Sequence, residues 1–308
     1  MIADALGPVF LLILIGALLG RLNFPGADIW PDIERLTYYL AFPALLVHRL
    51  ALADFSAAGL GHMALVISAA LITLSALIGL LSPWLANDGA AATSVFQGGI
   101  RFNTYIGLAA ASALFGDVGL VWAAMAVGVM IPLINVLCIL AFAVAGSQAD
   151  LSVARVARQL ITNPLIVACV LGLSLNVTGI GLPGWSASTL DLIGATALPL
   201  GLLAVGVALT PRSLGGDVGA ILITSLFKFI ALPALILGYG FWFALPTEAL
   251  NVLLLLAALP TASSAFILAR QLGGDTRLMA NIITVQSLLG FVSLPLWLWL
   301  GSLWLGNF

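Results

Sequence analysis

The chain has 308 residues, of which 62 % are hydrophobic and only 7 % charged, against the roughly 25 % charged expected of a soluble domain. Its 10 basic and 12 acidic side chains leave a net charge of -2, which argues against a nucleic-acid partner held by phosphate attraction. The composition is that of a polytopic membrane protein whose solvent is the lipid bilayer, with no soluble domain.

Apolar runs recur along the whole length, each about 20 residues or more and so able to cross roughly 30 Å of hydrocarbon as helix. The pattern predicts ten spans, at 6–22, 33–53, 58–83, 91–116, 118–145, 163–180, 188–210, 217–244, 248–272 and 277–306. Breaks fall at Asn23-Phe24-Pro25-Gly26, at Pro83 to Gly89, at Gly116-Asp117, at Gly181 to Ser186, at Pro211 to Gly216, at Leu245-Pro246-Thr247 and at Gly273 to Thr276. Asp4 and the absence of a basic cluster near it do not fit a cleaved signal peptide. The one stretch with linker character is 146–162, where Asp150, Arg155, Arg158 and Gln159 give the polar pattern of a short surface helix. It joins a first five-span domain, 1–145, to a second, 163–308. Cys138 and Cys169 lie inside apolar runs and read as buried thiols rather than a disulfide or a metal site.

Basic residues set the orientation. With the N-terminus outside, the cytoplasmic loops hold Arg21, Arg35, Arg155, Arg158, Arg212, Arg270 and Arg277, and the opposite side holds only Arg49. That positive-inside bias places both termini outside the cell. The halves also resemble each other. Pro8 to Gly16 recurs as Pro164 to Gly172, Ala41-Phe42-Pro43 as Ala197-Leu198-Pro199, and Leu114-Phe115-Gly116-Asp117 as Leu272-Gly273-Gly274-Asp275. Five spans per half make the second copy enter from the opposite face, so the repeat is inverted, an arrangement that points to alternating access.

Spans 4 and 9 hold corresponding places in the two halves, and both are interrupted. Span 4 carries Gln97-Gly98-Gly99-Ile100-Arg101-Phe102-Asn103-Thr104, and span 9 carries Pro260-Thr261-Ala262-Ser263-Ser264. Proline removes a backbone donor and paired glycines loosen a helix, and freed backbone groups at membrane depth need protein or water to satisfy them. The half-helices beginning near Thr104 and Thr261 would aim N–H groups at the midplane, with the hydroxyls of Thr104, Thr261 and Ser263 as further donors for an anion. Arg101 and Lys228 are the ionisable residues deep within spans. Neither has a carboxylate at its depth, so a substrate carboxylate is the natural counter-charge, and Arg101 offers bidentate geometry. Arg101 bonded to backbone carbonyls and Lys228 snorkelling to the interface are the structural alternatives. His48, beside Arg49 near a span end, fits a structural role better than a titrating one. No metal site or cofactor is expected. Proton or sodium coupling is open, since neither break holds an acid, although Gln97, Asn103, Thr284 and Gln286 supply oxygens. Gly16-Ala17-Leu18-Leu19-Gly20 fits GxxxG, a mark of close helix contact and the sole basis for expecting a homodimer.

These residues resemble the auxin efflux carrier family, which includes plant PIN carriers and bacterial carboxylate permeases. Glu34 to Leu46 looks like its second helix, Phe102-Asn103-Thr104-Tyr105-Ile106-Gly107-Leu108 its Asn-centred crossover motif, and Asn163-Pro164-Leu165-Ile166 the start of its sixth helix. Leu198 to Gly206 resembles the seventh helix, and Ala257-Ala258-Leu259-Pro260-Thr261-Ala262 with Leu294-Pro295-Leu296 the last two. The chain departs from the pattern at Ala109, where a second proline is common, and at Ser264, where asparagine is frequent.

The resemblance implies an all-α fold of ten helices in two inverted five-helix repeats. Spans 1, 2, 6 and 7 would form a scaffold, with spans 3–5 and 8–10 as a transport domain in which broken helices 4 and 9 cross. It implies a secondary transporter of a small organic anion, such as a carboxylate or an auxin-like acid, working by an elevator-type motion. Lacking the long PIN loop, the chain looks like a bacterial-type permease of the plasma (inner) membrane. The alternative is a sodium-coupled symporter of a bulkier anion, as in the bile-acid symporter fold. Two marginal histidines and no mid-span acid leave an intramembrane enzyme without its chemistry.

Overall fold

A computed structural model of the chain describes residues 2–26, 28–53, 57–145, 157–158, 160–209 and 218–305. Among them every regular element is helical and there is no strand. Most of the predicted linker helix, together with Asp54, Arg155 and Arg212, lies outside the described residues. Among the described residues six stretches are long and apolar enough to cross a membrane: Asp4–Arg21, Gly59–Leu85, Gly89–Val144, Ser186–Ala208, Val218–Trp242 and Thr276–Leu303. The spans expected at 33–53, 163–180 and 248–272 consist of shorter helical pieces. Many apolar side chains on these helices face outward, such as Leu14, Leu80 and Val292, as a chain solvated by hydrocarbon allows.

The residues cluster into two compact units. The first comprises 1–60, 105–129 and 158–210; the second comprises 61–104, 130–157 and 211–308. Each unit draws on both halves of the sequence.

In the first unit, α1 (Ile2–Arg21) lies along α9 (Ala197–Ala208). Gly16 and Gly20 of the GxxxG pattern face Leu203 and Val207 of α9, and Gly206 faces the backbone of Ile13, Gly16 and Ala17. A β-carbon on Gly16 would overlap the Leu203 carbonyl, and one on Gly206 the Ile13 carbonyl. Small residues allow backbones this close. The motif thus serves a contact inside the chain, and a homodimer has to use another face. α2 (Trp30–Leu36) runs through a π turn, Thr37–Ala41, into α3 (Phe42–Ala51), which packs on α7 (Pro164–Val177) and α8 (Ser186–Ala195). Asn163 starts α7 as a true cap. Its side-chain oxygen accepts from Leu165 N at 3.0 Å and Ile166 N at 3.3 Å, with Pro164 at the position where no N–H is needed.

Arg49, His48, Asp117 and Asp191 gather at one margin of this unit. Arg49 Nη1 lies 2.7 Å from Asp117 Oδ1, and His48 Nδ1 lies 3.8 Å from Asp191 Oδ1. Asp117 is 76 % exposed, so solvent screens the pair. Arg49→Gln is expected to change stability by less than about 1 kcal/mol in a thermal melt of the detergent-solubilised protein.

In the second unit, α4 (Ala57–Leu85) and α5 (Gly89–Ile100) precede a long helix α6 (Thr104–Val144), which is bent at Gly116 with φ 61° and ψ -148°. The far part of α6 belongs here. The unit also holds α10 (Val218–Leu226), a π turn at Phe227–Ala231, α11 (Leu232–Trp242), α12 (Thr247–Ala257), α13 (Ser264–Leu272) and α14 (Thr276–Leu305). The two π turns among the described residues stand just before a helical proline, Pro43 or Pro233. Proline has no N–H for the carbonyl four residues back, and its ring crowds that turn, so a wider turn forms there. The carbonyl four residues before Pro233 is that of Phe229, and the Trp297 indole donates to it at 2.5 Å. Trp297→Phe leaves that carbonyl without this donor. The expected cost is about 1–3 kcal/mol, read as a lower thermal midpoint.

Candidate functional site

The two predicted breaks are present and meet within the second unit. α5 is started by Asp88, whose carboxylate accepts from Ala91 N at 2.7 Å. It ends at Ile100, and Arg101-Phe102-Asn103 run non-helically before α6 begins at Thr104. The second break covers Ala258 to Ser263, between α12 and α13.

Helix ends at membrane depth leave carbonyls and N–H groups that only protein or water can satisfy, and here each break serves the other. Asn103 N donates to Pro260 O at 2.8 Å. The Thr261 hydroxyl donates to Gly98 O at 2.9 Å, with Arg101 O also in reach at 3.2 Å. Gln286 bridges the two segments: its Nε2 donates to Gly98 O at 3.1 Å and its Oε1 accepts from Thr261 N at 3.1 Å. One face of α14 holds the second break. Gln286 takes Thr261, Gly290 faces the Pro260 ring, which a β-carbon there would meet at 3.1 Å, and Ser293 donates to Ala258 O at 3.4 Å. Spacings of four and three place these residues on one stripe.

The paired glycines allow close packing around the crossing. A β-carbon on Gly98 would stand 2.5 Å from the Thr224 methyl and 2.8 Å from Ile282 Cγ2. On Gly99 it would meet Ile78 Cδ1 at 2.6 Å and Phe227 Cβ at 3.5 Å. α4, α10, the second π turn and α14 therefore converge on these two residues.

Arg101 lies beside the crossing with neutral partners. Nη2 donates to Asn135 Oδ1 at 2.8 Å and Nη1 to Ser264 Oγ at 3.3 Å, while the buried Nε has no hydrogen-bond partner. Among the described residues no carboxylate pairs with it. Asn135 was not singled out from the sequence. A lone amide in the apolar run Pro132 to Val136 was the available signal.

The other predicted residues divide clearly. Asn103 and Thr261 are buried, and Thr261 commits its hydroxyl to the crossing. Thr104 opens α6, and Ser263 precedes α13 without a side-chain cap bond. Gln97 is fully buried, with neither end of its amide partnered. Lys228 is fully buried on the second π turn, and its Nζ has no hydrogen-bond partner. It does not snorkel. Thr284 back-bonds to Ala280 O at 2.9 Å. Cys138 and Cys169 are free and buried. Among the described residues no three His, Cys, Asp or Glu side chains gather as metal ligands.

An all-helical, highly apolar chain with membrane-length helices, two of whose breaks meet around buried polar groups, has the character of a multi-pass membrane transporter. Residues 1–298 match the family described as membrane transport protein, and the chain belongs to that family, the auxin efflux carrier group its motifs resemble. A protein of Methanothermobacter thermautotrophicus named an uncharacterized transporter is 25 % identical over 295 residues, covering 94 % of this chain and 95 % of its own. The uncharacterized transporter MJ1031 of Methanocaldococcus jannaschii is 26 % identical over 194 residues, 62 % of this chain and 58 % of its own.

Proposed function

We propose that the protein is a secondary active transporter that moves a small organic anion, carboxylate in character, by alternating access at the crossing of the two breaks. The observation that carries this reading is Arg101, a cation at membrane depth held by an amide and a hydroxyl, with no carboxylate beside it among the described residues. Such a charge is costly unless an anion joins it, and a substrate carboxylate accepts two parallel N–H bonds from a guanidinium. Thr104 and Ser263, at the starts of the half-helices on either side, add hydroxyl and N–H donors.

The proposal includes ten spans in two inverted repeats, both termini outside and residence in the plasma membrane. The unit that holds the crossing carries the anion from one face to the other in an elevator-type motion. A second reading, a sodium-coupled symporter of a bulkier anion, draws on Gln97, whose amide has no partner and whose oxygen suits a hard cation. A thermal-shift screen of purified protein against mono- and dicarboxylates, with sodium or choline, tests both readings. At least one carboxylate should raise the midpoint, because a ligand bound only to the native state stabilises it. No shift with any of them contradicts the anion site. A shift that requires sodium favours the symporter.

A further inference from the structure

Lys228 has no role in the crossing as described, yet its setting is unusual. It lies near the middle of the Val218–Trp242 span, is fully buried, and makes no hydrogen bond through Nζ. An ammonium in that position, with neither solvent nor a carboxylate, would carry most of its desolvation cost uncompensated. Among the described residues, the groups on the elements of this unit do not supply one. On α5 and just beyond it are Asp88, which caps the helix, and Arg101, bonded to Asn135 and Ser264. α12 offers Glu248, exposed in its first turn, and α14 offers Arg277, exposed at its start. On α11 the Tyr239 phenol pairs with Thr73 of α4 at 2.9 Å. Among the described residues, then, no carboxylate offsets a charge on Lys228.

Its position ties it to the crossing. Lys228 belongs to the π turn whose Phe227 packs against Gly99, and Thr224, one turn earlier, packs against Gly98. Gly98 O is the carbonyl that Thr261 and Gln286 both hold. Gln97, the residue before it on α5, is a second fully buried polar side chain without a partner. Two uncompensated polar groups on packed neighbouring elements mark a place prepared for something other than the protein's own side chains.

We propose that Lys228 is the proton-carrying group of the transport cycle: the amine is neutral when the site is empty, and arrival of the anion makes it an ammonium. The step balances simply. The amine takes one proton from water on the side to which the site is open, the ammonium offsets the carboxylate's charge, and anion and proton leave together on the other side. Each ligand then raises the affinity for the other. The sign follows: the occupied state holds the extra proton, so anion affinity rises as pH falls. Between the pKa of the empty site and that of the occupied site, affinity changes about tenfold per pH unit.

This inference rests on the anion-carrier reading above, and the experiment separates the two. Malonate and malate are added to purified wild-type protein in weakly buffered detergent solution. Proton uptake is followed with a pH dye, and binding is followed by calorimetry. About one proton taken up per anion bound, together with weaker binding at higher pH, is the expected result. In Lys228→Met, proton uptake and pH dependence should both disappear, whatever affinity remains. Anion binding without proton uptake in the wild type, or undiminished uptake in Lys228→Met, overturns the proposal while leaving the anion site standing. Absence of binding by either acid in the wild type counts against the carrier reading as well. Should Lys228→Met fail to fold, the wild-type proton count alone decides, since a value of zero excludes the mechanism.

Discussion

Thr261→Val should reduce anion uptake into proteoliposomes about three- to tenfold at equal reconstituted protein, and Thr261→Ser should restore most of it. The valine keeps the shape but removes the hydroxyl that binds the Gly98 carbonyl and reaches toward that of Arg101. Gly98 O keeps its Gln286 donor, so the variant forfeits one net hydrogen bond, about 0.5–1.5 kcal/mol, which is up to about a factor of ten in an equilibrium between crossing geometries. Gln286→Leu removes the other donor to Gly98 and the acceptor for Thr261 N, and the double variant should be inactive. The two effects are not expected to add, because both side chains serve one carbonyl. Near-normal uptake by both single variants would show that the crossing holds without them.

The second large effect concerns folding. Gly206→Leu places a side chain where the Ile13 carbonyl and the Gly16 backbone already stand, and backbone atoms cannot turn aside as a flexible side chain can. α1 and α9 must separate, at a cost of about 3 kcal/mol or more, the upper end of overpacking penalties. Fluorescence-detected size exclusion after graded heating should show aggregation at a markedly lower temperature, or no monodisperse protein at all. Gly7→Ala on the same helix α1 has nothing within 4 Å of its β-carbon and serves as the neutral control. A normal elution profile and melting temperature for Gly206→Leu would refute the close α1–α9 contact.

How far the sequence foretold this arrangement depended on whether the cause was local. The breaks were legible because Gly98-Gly99 and Pro260 act on their own backbone. The bend at Gly116 and the capped start at Asn163-Pro164 are local in the same way. The partners of each break were not legible. Gln286 was noticed only as an oxygen donor, whereas in the fold it joins two chain segments, a role set by which face of α14 packs inward. Asn135 lies 34 residues from the arginine it binds, and no spacing rule links them. The GxxxG pattern announced a close contact without naming its partner, which is α9 of the same chain rather than a second copy. Thr261 was expected as a donor to an anion and instead binds the protein's own carbonyls, because a helix that stops at membrane depth needs those donors first.

In the transport cycle proposed above, Arg101 receives the substrate's carboxylate at the crossing. This role is tested most directly by uptake of labelled acetate, malonate, malate and indole acetate into proteoliposomes containing either wild-type protein or Arg101→Gln. Glutamine can still reach a neutral partner such as Asn135 or Ser264, so the fold should persist while the charge is gone. The wild type is expected to transport at least one of these acids above protein-free vesicles, and Arg101→Gln to lose that transport at least tenfold with an unchanged melting temperature. Transport of the same acid at the wild-type rate by Arg101→Gln would contradict that role.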